Sequence, residues 1–310
     1  VFNNINRAKF NPYRIHIFKE KWVYVDENDA EFPMDKNDFS VTVNGSKINF
    51  DVVFNAIHGT PGEDGLMQAY FELLGIPQSS CDYYQSALTF NKRDTLSVLS
   101  KFDIPKAKSI YVSKGQNIDL EVIATTLQYP FFVKPNQSGS SLGVSKVNEA
   151  SEFEKALAFA FAEDHDILIE SFLKGTEISV GVLKYHEKTT VLGITEIVPE
   201  NDFFDYEAKY LGKSNEITPA RISKEVQEKV NQTAKKIYES LGMTGFSRID
   251  FIIMNDIPHF IEINTNPGLS PQSIFPQQAA FSNLNFTDLI DNEIEIARNR
   301  KLIWQGFKSS

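Results

Sequence analysis

The segment FSRIDFIIMNDIPHFIEINTNPG constrains the fold more than any other part of the chain. Two apolar runs, Phe246 to Met254 and His259 to Thr265, flank a short polar turn that begins at Asn255-Asp256, the pattern of a β-hairpin. The two-residue period of a strand puts Arg248 and Asp250 on one face of the first run, and Glu262 and Asn264 on one face of the second. If both polar faces look into one cleft, two carboxylates, an amide and a guanidinium meet there. Oxygen ligands of this kind suit Mg2+ or Mn2+, which use one or two protein carboxylates and leave other positions to water and phosphate. Arg248 adds a cationic fork for a carboxylate or phosphoryl oxygen. The competing reading is an edge hairpin with solvated charges on its outer face, since alternating polar positions are ordinary in antiparallel sheets.

A chain of 310 residues with 42% apolar or aromatic positions can bury sizeable cores, and predicts two or three domains. Its 41 acidic residues outnumber 31 lysines and arginines, a net charge of -10, which argues against a general nucleic-acid-binding surface while leaving room for a local basic pocket. Cys81 is the sole cysteine, so an internal disulfide framework and thiolate metal clusters are excluded; a cytoplasmic location is expected. No stretch reaches membrane-spanning length: AFAFA, at 158–162, is short and lies between Glu154 and Glu163. The chain opens at VFNNINRAKF without a methionine and with a strand pattern almost at once in YRIHIF, like the middle of a unit whose first strand and turn precede Val1.

Strand signals over Tyr13 to Phe18 and Asp51 to Ala56, the loop HGTPGEDG and the helical run LMQAYFELLG ending at Gly75 suggest an α/β unit with its loop at the carboxyl end of a strand. In that loop His58 and Glu63 could orient one another, although an ordinary turn with a surface histidine gives the same pattern. SALTFNKRDTLSVLSKFDIPKAKSIYV reads as a helix carrying Lys92, a break at Ile104-Pro105 and a strand; 114–127 has no clear pattern. In YPFFVKPNQSGSSLGVSKV, a strand ending in Lys134-Pro135 leads into a loop with Ser138, Gly139, Ser140 and Ser141, then a second strand. Such a unit can fold over a polyphosphate with loop N–H groups and an ammonium, and a plain flexible hairpin is the alternative. DILIESFLKGTEISVGVLKY gives two strands around Lys174-Gly175-Thr176, bracketed by Glu170 and Glu177. These could accept from an exocyclic amine and from ribose hydroxyls of a nucleotide, or be solvated strand ends. The polar and aromatic PENDFFDYEAKYLGKSNEITPARI has the character of a flap over a cleft, and ISKEVQEKVNQTAKKIYESLG of a helix with one apolar face that Gly242 ends.

The blocks HGTPGEDG, SALTFNK, FVKPNQSGSSLGVSKV, ESFLKGTE, FFDYEAKY, GFSRIDF and EINTNPGLSPQS, in this order, resemble the D-alanine:D-alanine ligases of the ATP-grasp superfamily over essentially the whole chain. The resemblance implies an α/β, three-domain ATP-grasp ligase: an incomplete N-terminal α/β domain over 1–85, a central nucleotide-binding domain over 86–179 and a C-terminal α+β catalytic domain over 180–310. The implied reaction joins two D-alanines for peptidoglycan precursor synthesis. ATP phosphorylates the first carboxylate, the amino group of the second D-alanine attacks the acyl phosphate, and phosphate leaves.

By the same resemblance, Asp250, Glu262 and Asn264 hold two Mg2+ ions, with Mn2+ as a substitute, against the phosphates of ATP. Lys92, Lys134 and Lys209 contact phosphate oxygens under the Ser138 to Leu142 loop. Glu170 and the Leu173 backbone address adenine, and Glu177 the ribose. Arg248 and the Gly268 N–H stabilise the oxyanion; Ser273 and the Ile274 N–H receive the second carboxylate. Ser140, Tyr210 and His58 organise the first-substrate end, with a glutamate that would precede Val1. Tyr210 favours an amine nucleophile, because related ligases making D-alanyl-D-lactate often have phenylalanine there. The resemblance also implies a homodimer and neither nucleic-acid nor membrane partners. Another ATP-grasp ligase, making D-alanyl-D-lactate or a different dipeptide, and a non-catalytic nucleotide-binding protein are the competing readings. Asp250→Asn is expected to impair turnover while leaving the fold largely intact.

Overall fold

In a computed structural model of the protein, the described residues are 1–139, 141–199 and 214–306; the expected site residues Ser140, Lys209 and Tyr210 lie outside them. The chain begins as an antiparallel meander, β1 (Arg14–Ile17), β2 (Trp22–Val25), β3 (Glu31–Asp35), β4 (Ser40–Val43) and β5 (Ser46–Ile48), with the strands in that order across the sheet. Helix α1 (Leu66–Leu74) lies on it, burying Met67 and Phe71 with Met34, Phe39 and Val41. It ends at Gly75, whose φ of 73° is the left-handed turn that glycine adopts without strain. The strand expected over Asp51 to Ala56 does not form. Val53 makes a single parallel bridge to Gln78, and the next N–H on that side, from Asn55, donates to the Ser79 side chain at 3.1 Å, which ends the ladder.

The helical run around Lys92 is two helices, α2 (Tyr83–Phe90) and α3 (Lys92–Leu99). Asn91 separates them with extended backbone, and its side chain caps α3 by accepting from the Asp94 N–H. A four-stranded antiparallel sheet follows, built from β6 (Ser109–Ser113), β7 (Phe131–Pro135), β8 (Ser145–Val147) and β9 (Asp166–Ser171) in the order β6-β9-β7-β8. Helices α4 (Leu120–Leu127) and α5 (Phe153–Glu163) cover it. Helix α4 falls in the stretch without a clear pattern, because it buries only Ile123 and Leu127, one turn apart, too short a stripe to show a period.

The second large sheet holds β10 (Thr176–Tyr185), β11 (Lys188–Pro199), β12 (Ser214–Ile217), β13 (Ser247–Met254) and β14 (Ile257–Asn264), in the order β12-β11-β10-β13-β14. Helix α6 (Lys224–Ser240) packs on it through Val226, Val230, Ala234, Ile237 and Tyr238, and α7 (Ile274–Phe281), α8 (Phe286–Asn299) and α9 (Ile303–Gly306) complete the chain. Among the described residues no helix is long and apolar enough to cross a membrane. The division expected at 179/180 falls inside β10. The chain leaves one sheet at Ser171 and enters the other at Thr176, so β9 and β10 are consecutive strands of different sheets.

In the β13–β14 hairpin, Asn255 and Asp256 both have left-handed backbone (φ 51° and 60°), the turn that matches the twist of the flanking strands. Arg248 pairs with Asn264 and Asp250 with Glu262, but the register then shifts so that Phe251 faces Phe260, leaving Ile261 as the extra residue of a bulge. The bulge is what allows Phe260 and Glu262, two residues apart, to serve opposite faces: Phe260 joins the core with Phe251, while Glu262 stays beside Asp250. β14 is an edge strand, and the Phe260 N–H donates to the Pro105 carbonyl at 2.8 Å, covering part of that edge.

Gly175, in the passage between sheets, has no room for a side chain: a Cβ there would lie 2.0 Å from the Ile253 carbonyl oxygen. Gly175→Ala is expected to destabilise the protein by about 1–3 kcal/mol through forced displacement of the end of β13, read as a lower urea midpoint.

Candidate active site

Two adjoining hollows lie between the four-stranded sheet, the second large sheet and the loop preceding α1. The first, ≈ 420 Å³, is lined by Lys134, Ser141, Glu170, Leu173, Glu177 and Asp250, with apolar walls from Phe132, Ile252 and Ile261. The second, ≈ 450 Å³, is lined by His58, Glu63, Gly139, Asn264 and Thr265. Lys92, Ser138, Leu142 and Glu262 line both. Arg248, Gly268, Ser273 and Ile274 line neither.

Asp250 is the most heavily engaged side chain. Only 8% exposed, it accepts from Ser179 Oγ at 2.6 Å, from Arg248 Nε and Nη2 at 3.2 and 3.1 Å, and from Asn264 Nδ2 at 3.3 Å. The solvated edge hairpin is thereby excluded for this face. Burial alone would weaken the guanidinium's hold on its proton, but the charge of Asp250, with Glu262 and Glu63 behind it, keeps Arg248 above its ordinary range. Ser179 comes from β10, directly opposite Asp250 in the register, so three neighbouring strands build this cluster.

Lys92 is not a solvated surface residue. Its ammonium donates to the Ser138 carbonyl at 2.8 Å and lies 3.5 Å from Glu262, at the seam of the two hollows. Its backbone N–H donates to the carbonyl of fully buried Asn136, whose side chain accepts from the Arg93 N–H at 2.9 Å. Asn136 thus fixes the start of α3 to the end of β7. On the sheet itself, Lys134 forms an ion pair with Glu170, its diagonal cross-strand neighbour, since Phe132 is the residue opposite Glu170. The loop between β7 and β8 turns back at the seam, with the Leu142 N–H donating to Gly139 at 3.2 Å and Ser141 in left-handed conformation.

The far end of the second hollow is organised by Glu63 and Asn266. Buried Glu63 accepts from the Gly59 N–H at 2.7 Å through one oxygen and from the Asn266 N–H at 2.9 Å through the other. Asn266 also donates through its amide to the carbonyls of Gly62 at 2.7 Å and Ile57 at 3.3 Å. His58 Nδ1 lies 3.0 Å from the Asn266 carbonyl and 3.3 Å from Glu63, both acceptors, so Nδ1 carries a proton and Nε2 is the ring nitrogen left for another partner. Beyond this hub, Gly268 packs against Ser273, where a Cβ would lie 2.8 Å from Oγ. Ser273 is the N-cap residue of α7, but its side chain meets Ser270 Oγ at 2.9 Å and makes no cap bond, so it does not occupy the N–H groups of the first turn, which begins at Ile274.

Ser179, Asn136 and Asn266 are the members that sequence reasoning missed. Each is a small polar residue two positions from a residue already noticed, and its signal is burial, which only the fold reveals. Among the described residues no cluster of three or more His, Cys, Asp or Glu could hold a metal on its own. Asp250, Glu262 and Asn264 nevertheless offer two carboxylates and an amide on paired strands, the oxygen-rich partial shell that Mg2+ completes with water and phosphate.

Two sheets closing on a cleft, with a lysine from one, paired carboxylates from the other and a small-residue loop at the seam, define the chain as a member of the ATP-grasp superfamily. The family model "D-ala D-ala ligase N-terminus" matches residues 1–81 and "D-ala D-ala ligase C-terminus" matches residues 98–295. The chain belongs to the D-alanine–D-alanine ligase family. It is 64% identical to the D-alanine–D-alanine ligase of Flavobacterium psychrophilum over 98% of this chain and 93% of that one, and 61% identical to that of Flavobacterium johnsoniae over 96% and 92%. Among solved structures, the VanG D-Ala:D-Ser ligase from Enterococcus faecalis superimposes with a TM-score of 0.84 at 31% identity, covering 96% of this chain and 92% of that one. D-alanine–D-alanine ligase from Bacillus anthracis complexed with ATP gives 0.71 at 27% identity, covering 83% and 82%.

The Asp250 cluster revises one expectation. Asp250→Asn removes the counter-charge of a guanidinium that is only 16% exposed, so it is expected to cost up to about 3 kcal/mol of stability as well as activity. Urea unfolding of the variant measures this; an unchanged midpoint would contradict the buried pairing.

Proposed function

We propose that the protein uses ATP to join two D-alanines into D-alanyl-D-alanine for peptidoglycan precursor synthesis. The observation that carries this reading is the shared wall: Lys92, Ser138, Leu142 and Glu262 face both hollows, so a nucleotide in the first would direct its terminal phosphate toward an amino acid in the second. The 64% identical relative supports D-alanine as the amino acid.

In this assignment the γ-phosphoryl group passes to a carboxylate oxygen of the first D-alanine, giving D-alanyl phosphate and ADP. The amino group of the second D-alanine then attacks the carbonyl carbon. The C–N bond forms, the amine gives up a proton, and the C–O bond to phosphate breaks. Lys92 and Lys134 hold phosphate oxygens, with Lys209 assigned the same task from outside the described residues. Glu170, the Leu173 backbone and Glu177 receive adenine and ribose. Arg248 and the Gly268 N–H meet the oxygen that becomes negative at the tetrahedral centre, a preorganised stabilisation that water would have to reorganise to provide. Ser273 and the Ile274 N–H bind the second carboxylate, supported by the uncapped start of α7. His58, with its proton fixed on Nδ1, offers Nε2 for proton control at the first substrate, alongside Ser140 and Tyr210. Asp250, Glu262 and Asn264 would hold Mg2+ or Mn2+, which neutralises phosphate charge when bound. In this reading the chain forms three domains, with the expected 86–179 and 180–310 division moved to the passage between the two sheets, giving 1–85, 86–175 and 176–310.

The assay that tests it measures phosphate release with Mg-ATP and D-alanine, D-serine or D-lactate, with the product identified by mass. D-alanine alone is expected to give phosphate and the dipeptide; absence of both overturns the reading, and a depsipeptide with D-lactate as the preferred product redirects it. A homodimer through the N-terminal region belongs to the same proposal and is supported by the exposed Leu66 and Leu73 of α1. Sedimentation equilibrium should give twice the chain mass of 35.1 kDa, and a monomer would remove it.

A further inference from the structure

Helix α8 carries a buried acid that none of these steps uses. Glu293 is 1% exposed, and neither of its carboxyl oxygens has a hydrogen-bond partner among the described residues. It lines a small cavity of ≈ 10 Å³ whose polar members are Asn55, Ser79, Ser80 and Asn266 and whose remaining wall is apolar, from Phe54, Phe246, Pro267 and Leu269. That is about the space one water molecule needs, and although Asn55, Ser80 and Asn266 already hydrogen-bond within the wall, the two carboxyl oxygens of Glu293 and the Ser79 hydroxyl stand beside it as polar partners. A carboxyl group left without a partner in the interior is costly, whereas one that shares a water with neighbouring amides and hydroxyls is not.

The position of the cavity gives it a consequence for the reaction. Asn266 and Pro267 form the stem of the loop that carries Gly268 and Ser273, and Asn266 is also the residue through which Glu63 and His58 are held. Arg300 does not neutralise Glu293 directly. Its two terminal nitrogens are committed to the Ser80 carbonyl at 2.8 Å and the Thr244 hydroxyl at 2.9 Å. The charged and titratable groups that act on this site are Arg300, Tyr238 from α6 and, through Arg300 and Tyr238, Cys81. Burial holds Tyr238 well above its ordinary range and pushes the Cys81 thiol up to about 11, so both are neutral under ordinary conditions. Burial likewise raises the Glu293 carboxyl to about 8, with Arg300 and the adjacent Asn292 side chain, which lies short of a formed hydrogen bond, opposing it.

We propose that Glu293 is a positioning residue for the 266–274 loop, acting as a neutral acid that holds a single enclosed water between α8, Asn55, Ser80 and the Asn266–Pro267 stem. The carboxylic O–H donates to the water or a wall carbonyl and the other oxygen accepts, so the loop gains one hydrogen-bonded support within an otherwise largely apolar wall. Loss of the proton leaves a charge in that cavity and loosens the stem. The proposal rests on the assignment of this loop to the second D-alanine.

Three forms of the full chain test it in the phosphate-release assay: the parent protein, Glu293→Gln and Glu293→Leu. In the parent, KM for D-alanine should rise about fivefold between about pH 7 and about pH 9, with a midpoint near 8, as expected for weakening one buried hydrogen-bonded support. Glu293→Gln keeps a donor and an acceptor but cannot titrate, so it should retain the neutral KM and lose that rise. Glu293→Leu should show about a fivefold higher KM for D-alanine already at about pH 7, with KM for ATP unchanged. Thermal unfolding gives a second readout. Because the folded-state carboxyl is raised, its stabilising contribution is full below the ordinary carboxylate range and is lost as pH rises through about 8. Glu293→Gln should flatten that part of the stability curve. An identical alkaline rise in parent and Glu293→Gln overturns the proposal, as does a folded Glu293→Leu with the parent's KM. If Glu293→Leu does not fold, the comparison with Gln decides. Absence of any D-alanine-dependent phosphate release from the parent instead overturns the ligase reading, and this role with it.

Discussion

The largely buried pairing of Arg248 with Asp250 is the interaction around which the site is arranged. Taking a guanidinium and a carboxylate out of water costs several kcal/mol per ion, and mutual attraction offsets that only when the remaining lone pairs are also satisfied. Here the two-point contact from Arg248 is supplemented by Ser179 from one neighbouring strand and Asn264 from the other, so β10, β13 and β14 must keep their register for the charges to remain paired. The energetic demand of one ion pair therefore acts as a constraint on the order of the central strands. It also fixes the direction of the guanidinium, which is the property a preorganised oxyanion donor needs.

The hairpin was legible because its information is local. Alternation along each strand and two turn-forming residues define both the faces and the reversal, and the register agrees with that pattern at Arg248, Asp250, Glu262 and Asn264. The bulge at Ile261 was not legible, since the run His259 to Thr265 shows only an unbroken apolar and polar mixture. Its effect is nonetheless decisive, because it gives a core position to Phe260 and a cleft position to Glu262. Ser179 was missed for a related reason: a serine in an apolar strand has no signature until the strand opposite is known.

The first part of the chain was read least well. Its strands are three to five residues long and only partly buried, so most of them lack the alternation that reveals longer strands. Asp51 to Ala56 has the composition of a strand but loses its ladder to the Ser79 hydroxyl, a competition between side chain and backbone that composition does not report. The loop that follows was recognised by its glycines, and His58 and Glu63 do meet, but their true organiser, Asn266, lies about two hundred positions away along the chain. Contacts of that kind are set by the packing of whole elements.

The four residues common to both hollows carry a thermodynamic consequence. Lys92 and Glu262 cannot change their environment on one side without changing it on the other, because the same ammonium and the same carboxylate face both spaces. Any occupant of one hollow that draws Lys92 away from Glu262 alters the charge presented to the other, and linkage makes that influence reciprocal. Two occupants that both engaged this shared partition would therefore be coupled through it.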